Sequence, residues 1–270
     1  MKKIMFLLLS TIMWVGCSSD DNSNGGNNTG IVPDFYPEQD GTYWRYRVHK
    51  DANNIGVDSL YIDGKSYINS VQYTSYGLKH TPKGFYSGIL DSGQTRIDGS
   101  KFIYYGALDL QNIFPQLTGY SILLEDFVFF DNTAPEGQQL DSRSGSQTIS
   151  YQNGIDFVVE YTISSKAGAV HNNLNVLNNN YNQVRSSVFT LSAKVKAKKT
   201  ILGVPITYTI LETQDVAVST QHFKDGIGMI FANTDIQYEL ADFPNIGVTV
   251  PFPQYFEMNI KESLINYNLQ

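Results

Sequence analysis

The sequence predicts an all-β fold, in which a large antiparallel sheet curves into an open half-barrel or folds over as a sandwich. The 270 residues include 18 tyrosines and 15 phenylalanines, and aromatic and β-branched residues favour strands. Apolar and polar residues alternate along many short segments, as they do in half-buried strands. Strands do not alternate with helices, which argues against a parallel nucleotide-binding sheet.

The individual strands follow from this alternation. Asn153 and Gly154 supply the positive φ angles of a type I′ turn, so the segments on either side, 148–152 and 155–163, are predicted to form a hairpin. Apolar side chains occupy every second position over residues 44–48, 157–163, 189–197 and 256–260. Further strands are predicted over 59–63, 67–76, 84–91, 101–105, 205–211, 215–223, 228–231 and 235–240.

The segments between the strands predict turns and little helix. Gly41 allows a turn into the first strand, whose Trp44 and Tyr46 are expected in the core, and Gly226 and Gly228 allow a tight turn or bulge. The Asn-rich stretch 172–182 is predicted to be a long exposed loop. Two segments, 108–117 and 122–130, are candidates for a short helix.

The N-terminus predicts a secretory leader. Lys2 and Lys3 precede residues 4–15, in which only Ser10 and Thr11 are polar. As a helix this stretch is about 18 Å long, whereas a bilayer core is about 30 Å thick. We therefore expect a signal peptide over 1–16, a lipidated disordered tether over 17–33 and a single antiparallel β-domain over 34–270.

The lone cysteine, Cys17, follows the leader directly. Its setting resembles the lipobox of bacterial lipoproteins, in which the cysteine is acylated, for example with palmitate, although Trp14 stands where that family usually has Leu. The alternative is ordinary secretion, which leaves an exposed thiol. The polar run 18–21 resembles the surface-export signals of Bacteroidetes lipoproteins, and a plain solvated linker is the other interpretation. The predicted location is the outer membrane, with possible exposure at the cell surface.

Charge narrows the range of partners. Removing residues 1–16 takes away two lysines and no acid, so 17 basic and 26 acidic side chains remain, a formal net charge of −9. Such a chain is a poor match for nucleic acid. The lysines at 194, 196, 198 and 199 follow the two-residue period of a strand and indicate that one face of this strand is exposed to solvent. The predicted contact with the membrane is the N-terminal lipid alone.

Two stretches resemble a group of Bacteroidetes outer-membrane lipoproteins. Residues 36–46 read YPEQDGTYWRY and residues 223–231 read FKDGIGMIF. They are similar to that group's "FPL…G..W.Y" opening strand and its C-terminal "F..GVG.V" motif, although Glu38 and Gln39 replace the usual apolar residue. The resemblance implies a curved antiparallel sheet, in some relatives an open half-barrel like that of lipoprotein carriers. It implies no catalytic residue.

Motifs for chemistry are missing from the sequence. His49, His80, His171 and His222 are far apart along the chain, so the local spacing of a zinc site is absent. Glu125 and Asp126 are adjacent and are expected on opposite faces of a strand. Residues 51–58 partly match a calcium loop, but a polar turn between strands is the better interpretation. We predict no catalytic residue, no metal site and no cofactor.

Aromatic residues give the remaining indication of a ligand. Tyr73, Tyr76, Tyr104 and Tyr105 are candidates for an exposed platform that stacks on a sugar, although strands carry aromatics on both faces in any case. The favoured function is a non-catalytic binding or scaffold module with an unidentified ligand. The alternatives are a carrier that holds an acyl chain or other apolar ligand in a half-barrel, and a glycan-active enzyme. The oligomeric state is not indicated.

Overall fold

The computed structural model describes residues 35–112, 119–151, 154–201, 203–242 and 252–270. The all-β prediction is confirmed, because 12 antiparallel strands form a single sheet that curves into a nearly closed half-barrel. The described residues all belong to one compact unit. The predicted signal peptide, Cys17 and the tether lie outside the described residues.

The strands follow the chain in this order: β1 Tyr43–Lys50, β2 Asn53–Ile68, β3 Val71–Leu78, β4 Gly93–Asp98, β5 Lys101–Asp109, β6 Ser121–Asp131, β7 Gln139–Tyr151, β8 Ile155–Val176, β9 Asn179–Ile201, β10 Val204–Lys224, β11 Gly228–Glu239 and β12 Tyr255–Asn268. One α-helix, α1 (Phe85–Asp91), lies between β3 and β4, and a 3-10 turn covers Leu110–Asn112. The order across the sheet is β6-β5-β4-β3-β2-β1-β12-β11-β10-β9-β8-β7. The first and last strands are therefore neighbours at its centre.

Hydrogen bonds that involve side chains join the edge strand β6 to strands at the other end of the sheet. Ser187 Oγ on β9 donates to the Phe129 carbonyl on β6 at 2.6 Å. The Val128 amide on β6 donates to Asp141 Oδ2 on β7 at 3.1 Å. These bonds give partners to edge groups that a sheet otherwise exposes, and so they stabilise the nearly closed shape.

The concave face of the sheet carries the core. Trp44 and Tyr46 on β1 are fully buried, as predicted. Trp44 Nε1 donates to the Ile227 carbonyl at 2.6 Å, and Tyr46 Oη donates to the Met229 carbonyl at 3.0 Å. The ring of Tyr36 is tilted against that of Trp44 and stacked on that of Phe102. A core built from large aromatics needs no disulfide to be stable, since it removes much apolar area from water.

One predicted strand is a helix. Residues 84–91 were expected to be extended, whereas Phe85–Asp91 forms α1 and its first six residues are all buried. The helix lies against the concave face, so apolar residues surround it on every side. Sequence patterns identify a helix by polar residues that recur about every 3.6 residues along one face. A helix buried on all sides has no such face, which explains why a strand was predicted here.

Two-residue turns account for two further corrections. The predicted strand 67–76 is interrupted by Asn69 and Ser70, whose φ angles are 50° and 68°, so β2 and β3 form a hairpin. The predicted loop 172–182 is instead the end of the β8–β9 hairpin, which turns at Leu177 and Asn178 with φ angles of 49° and 71°. Ser and Leu are unusual at positive φ, and neither turn has a sequence signature.

The other local predictions have mixed outcomes. The hairpin around Gly154 is confirmed by the pairing of Tyr151 with Ile155, although Asn153 lies outside the described residues. The helix candidate 122–130 is wrong, because this segment belongs to β6. Of the candidate 108–117, the described part contains the end of β5 and the 3-10 turn.

Candidate functional site

The start of α1 is held inside the half-barrel by two buried carboxylates. Asp58 on β2 accepts hydrogen bonds from the amides of Lys83 and Gly84, at 3.0 and 2.8 Å for Oδ2. Glu262 on β12 accepts from the Tyr86 amide at 2.7 Å and from the Ser87 amide at 2.9 Å. The Tyr86 and Ser87 amides belong to the first turn of the helix, which has no partners of its own for them, and the Lys83 and Gly84 amides directly precede it. The two acids therefore fix where the helix begins.

Burial sets the electrostatics of this anchor. Desolvation raises the pKa of the Glu262 carboxyl; hydrogen bonds from Ser87 and Tyr86 oppose this rise, and the nearby Asp58 adds to it. The approach is very close, because a Cβ added at Gly84 would stand 2.1 Å from Glu262 Oε1. Position 84 must therefore be glycine if α1 is to start here.

Beside this helix start, the concave face opens into a groove of about 310 Å³. It lies where β1 ends and β12 begins, next to Gly84. Six apolar residues form most of its wall: Ile55, Pro82, Phe85, Phe256, Met258 and Ile260. The polar contributions come from Gln111 and from two lysines, Lys50 and Lys83. We call this feature the mouth groove.

The two lysines give the mouth groove its charge. Lys50 continues the inward-facing positions of β1, and Lys83 is half-buried, with its Cε 2.9 Å from the point where a Cβ would stand at Gly56. Among the described residues, no ion pair involves either lysine. An apolar wall with two free ammonium groups matches a ligand that has an apolar body and an anionic end.

The neighbouring part of the concave face is filled. Between β8 and β11, the described residues leave only a small apolar cavity of about 10 Å³, lined by Val159, Val195, Ile210, Leu211, Tyr238, Leu240 and Phe252. A cavity needs at least about 10–15 Å³ of this kind of volume to hold one water molecule. No acyl chain fits this cavity as it stands.

The four candidate tyrosines do not form one exposed platform. Tyr76 and Tyr104 point into the core and are buried, which corrects that part of the prediction. Tyr76 Oη shares a 2.7 Å hydrogen bond with Thr95 Oγ1, and Tyr104 Oη donates to the Ile89 carbonyl at 3.1 Å. Burial raises the pKa of Tyr104 to about 12. Both residues lie at inward positions of their strands, where they pack with α1 rather than with a ligand.

The other two candidates lie on the outer face. The rings of Tyr73 and Tyr105 meet edge to face, 5.8 Å apart. Tyr73 is only 2% exposed, because Arg96 lies over its ring at 5.9 Å and its hydroxyl is bonded to Asp126. Of the four tyrosines, Tyr105 alone is half-exposed, and it borders a cleft of about 380 Å³.

Glu125 and Asp126 are both on the outer face, contrary to prediction. Asp126 has a φ angle of 50° at a register shift in the pairing of β5 with β6. This bulge inserts an extra residue, so both carboxylates are exposed while Phe127 still points inward. Tyr105 Oη donates to Glu125 Oε1 at 3.3 Å.

Two of the four histidines meet on the outer face. The rings of His171 and His222 have centroids 5.1 Å apart and line a cleft of about 470 Å³. Burial, and secondarily His171, lowers the pKa of His222 to about 4. Sequence reasoning missed this pair, since 50 residues separate its members. Within the described ranges, no group of three or more His, Cys, Asp or Glu side chains is placed to hold a metal ion.

The segment with partial likeness to a calcium loop, 51–58, covers the turn between β1 and β2 and the first residues of β2. Asp51 and Ala52 both have positive φ angles, 46° and 67°, and Asp51 Oδ1 accepts a hydrogen bond from the Asn259 amide at 2.8 Å. The carboxylate thus joins the turn to β12, as expected for a polar turn between strands.

Comparison with known proteins gives no relative. No protein-family model matches the chain, and no curated protein or solved structure is similar to it. In the part of the chain that the structure describes, there is no helix of the length and apolar character that a membrane span requires.

Proposed function

We propose that this chain is a lipid-anchored lipoprotein of the outer membrane or cell surface, and that it acts as a non-catalytic binding module. Its ligand is a small amphiphile with an apolar body and an anionic end, bound in the mouth groove. The observation that carries the proposal is the pair of lysines, Lys50 and Lys83, at an apolar groove of the concave face.

The volume of the groove sets the size of the ligand. About 310 Å³ is at the lower end of the range of small-molecule pockets, about 300–1,000 Å³. A short acyl chain or a pair of fused rings fits this volume, whereas a long lipid would extend out of it. The proposal thus keeps the apolar ligand of the carrier hypothesis but moves it from the interior of the half-barrel to its mouth.

Charge explains why the ligand should be an anion. The whole chain has a formal net charge of −7, so its overall field repels anions. The charged side chains that line the groove are two lysines, and next to an apolar wall their attraction for an anion is less screened than in open water. An apolar ligand without charge would lose this contribution.

A dye titration tests the proposal. We expect the mature protein carrying Cys17→Ser to bind 1-anilinonaphthalene-8-sulfonate, an apolar anion, with a rise in fluorescence. The double variant Lys50→Glu, Lys83→Glu should bind it at least about tenfold more weakly, a loss of about 1.4 kcal/mol. The uncharged dye N-phenyl-1-naphthylamine should bind both proteins within about twofold of each other.

The control is Lys198→Glu, which makes the same kind of substitution, at one lysine, on the exposed side of β9. It should leave binding of the anionic dye unchanged. Equal binding of the anionic dye by the wild type and by the double variant would reject the mouth groove as the site.

A second candidate ligand is a glycan at the cleft beside Tyr105. This cleft is lined by polar side chains, Ser75, Asp91, Ser92 and Gln94, next to one half-exposed aromatic ring, and such a combination suits hydrogen bonding and stacking to a sugar. On a glycan array, Tyr105→Ala should lose any signal of the wild type. Tyr67→Ala, which removes a 70% exposed ring elsewhere, should keep it. An array without any signal would reject this candidate.

The proposed lipid anchor on Cys17 has a separate test. Metabolic labelling with a fatty-acid analogue should mark the wild type and not Cys17→Ser, because the thiol is the proposed acylation point. Equal labelling of both proteins would contradict the lipoprotein assignment without bearing on the groove.

A further inference from the structure

The outer face of the sheet holds a histidine pair that the mouth groove does not use. His222 lies on β10 and His171 on β8, with β9 between them in the sheet. In the pairing of β8 with β9, Gly168 and Ala169 together stand opposite the single residue Ser186, so β8 is bulged two residues before His171. Bulges re-aim the side chains that follow them, and here His171 reaches across β9 to His222.

Close packing keeps this bulge in place. Ser186 Oγ donates to the Ala169 carbonyl at 3.0 Å. A Cβ added at Gly168 would stand 2.3 Å from Ser186 Oγ. The position of His171 relative to β10 is therefore built into the backbone and does not depend on a flexible loop.

His222 has an unsatisfied polar atom. The residue is 8% exposed, and among the described residues its Nδ1 is buried with no hydrogen-bond partner. Buried polar atoms in folded proteins nearly always have a partner, and one that lacks it needs an explanation. A metal ion is the candidate partner for an imidazole nitrogen beside a second imidazole, because neutral histidine is the most common metal ligand.

We propose that His171 and His222 form a binding site for a borderline divalent cation such as Zn²⁺ or Ni²⁺. A metal about 2.0–2.1 Å from a ring nitrogen lies about 3.2 Å from the centre of that ring. Two such rings at a tetrahedral angle have centres about 5.2 Å apart, and the observed separation is 5.1 Å. The pair is thus spaced for a shared cation without a large rearrangement.

The cleft leaves the rest of the coordination open. Its described wall includes one carboxylate, Glu136, and one ammonium group, Lys166. With two protein ligands, the other positions of the metal are open to water or to an oxygen or nitrogen donor from outside. Such an open site differs from a closed structural zinc site, which has four protein ligands. It binds a cation together with an external ligand.

Calorimetric titration of the untagged mature protein with ZnCl₂ and with NiCl₂ tests this site. We expect one metal per chain, and a rise in Tm on adding metal because the cation binds the folded state. His171→Ala should weaken binding at least about tenfold and abolish the rise in Tm. His171 is half-exposed, so this variant should fold even if the substitution of buried His222 does not.

The control is the double variant His49→Ala, His80→Ala, which removes two other histidines and should bind metal as the wild type does. Tm without metal, measured for every variant, separates lost binding from lost folding. Two results would overturn the proposal: no binding of either cation by the wild type, or equal binding by the wild type and His171→Ala. Neither result would affect the dye titration of the mouth groove.

Discussion

Two neighbouring regions of the concave face differ in how completely they are filled. Between β8 and β11 the described side chains leave a cavity of about 10 Å³, whereas beside β12, β1 and α1 they leave a groove of about 310 Å³. The border is a stacked pair, Tyr238 and Phe256, with ring centroids 5.5 Å apart. Tyr238 lines the cavity and Phe256 lines the groove.

The difference follows from which residues occupy the inward positions. The filled region has aliphatic and aromatic side chains there, and they leave only about 10 Å³ of free volume. At the open region, the inward end of β1 is Lys50, and the start of α1 is fixed by Asp58 and Glu262. The charge of Lys50 and the fixed position of α1 keep this end of the face from collapsing into a packed core.

The largest effect is expected from Gly84→Ala. The new methyl group would stand 2.1 Å from Glu262 Oε1, so α1 must move or the carboxylate must lose its partners. We expect a loss of more than about 3 kcal/mol in the free energy of unfolding, together with loss of dye binding. Urea unfolding and the dye titration measure the two effects.

Gly88→Ala is the matched control within α1. A Cβ there would meet the nearest atom, Pro82 Cβ, at 3.5 Å, an ordinary contact. Since alanine favours a helix over glycine by about 1 kcal/mol, this variant should be as stable as the wild type or more stable. If both substitutions cost the same, the carboxylate anchor is not what fixes α1.

The next effect separates the filled region from the open one. Leu211 is 1% exposed and lines the small cavity, so Leu211→Ala should cost about 2–5 kcal/mol by enlarging it. Ile55 is 38% exposed and lines the mouth groove, so Ile55→Ala should cost less than about 1 kcal/mol.

Dye binding should respond in the opposite way. Ile55→Ala removes part of the groove wall and should weaken binding of the anionic dye, while Leu211→Ala should not. Stronger dependence of dye binding on Leu211 than on Ile55 would place the ligand in the filled region and contradict the comparison.

The smallest effect concerns pH. Because the pKa of Glu262 is raised in the folded state, the folded protein binds this proton more tightly than the unfolded chain does. The resulting stability is fully present below the usual glutamate pKa and is lost as pH rises through the raised value. Relative to Glu262→Gln, the wild type should therefore lose stability as pH rises from about 4.5. Unfolding curves between pH 4 and pH 8 check this, and parallel curves for the two proteins would contradict it.

The sequence predicted the fold better than it predicted the site. Alternation identified the strands because one face of the sheet is buried, and it placed Trp44 in the core. It missed α1 because this helix has no polar stripe by which a pattern could identify it. The mouth groove joins Lys50 and Lys83 to residues of β12, more than 170 positions away in sequence, and the histidine pair joins two strands that are not adjacent. Such contacts depend on the order of strands in the sheet, which alternation does not encode.

The most direct test of the account is methyl NMR of the mature Cys17→Ser protein during titration with decanoate. We predict that the methyl signals of Ile55, Met258 and Ile260 shift in a saturable manner, and that those of Val159, Val195 and Leu211 stay within the noise. Shifts confined to the second set, or no saturable shift in either set, would contradict the claim that the ligand binds at the mouth of the half-barrel.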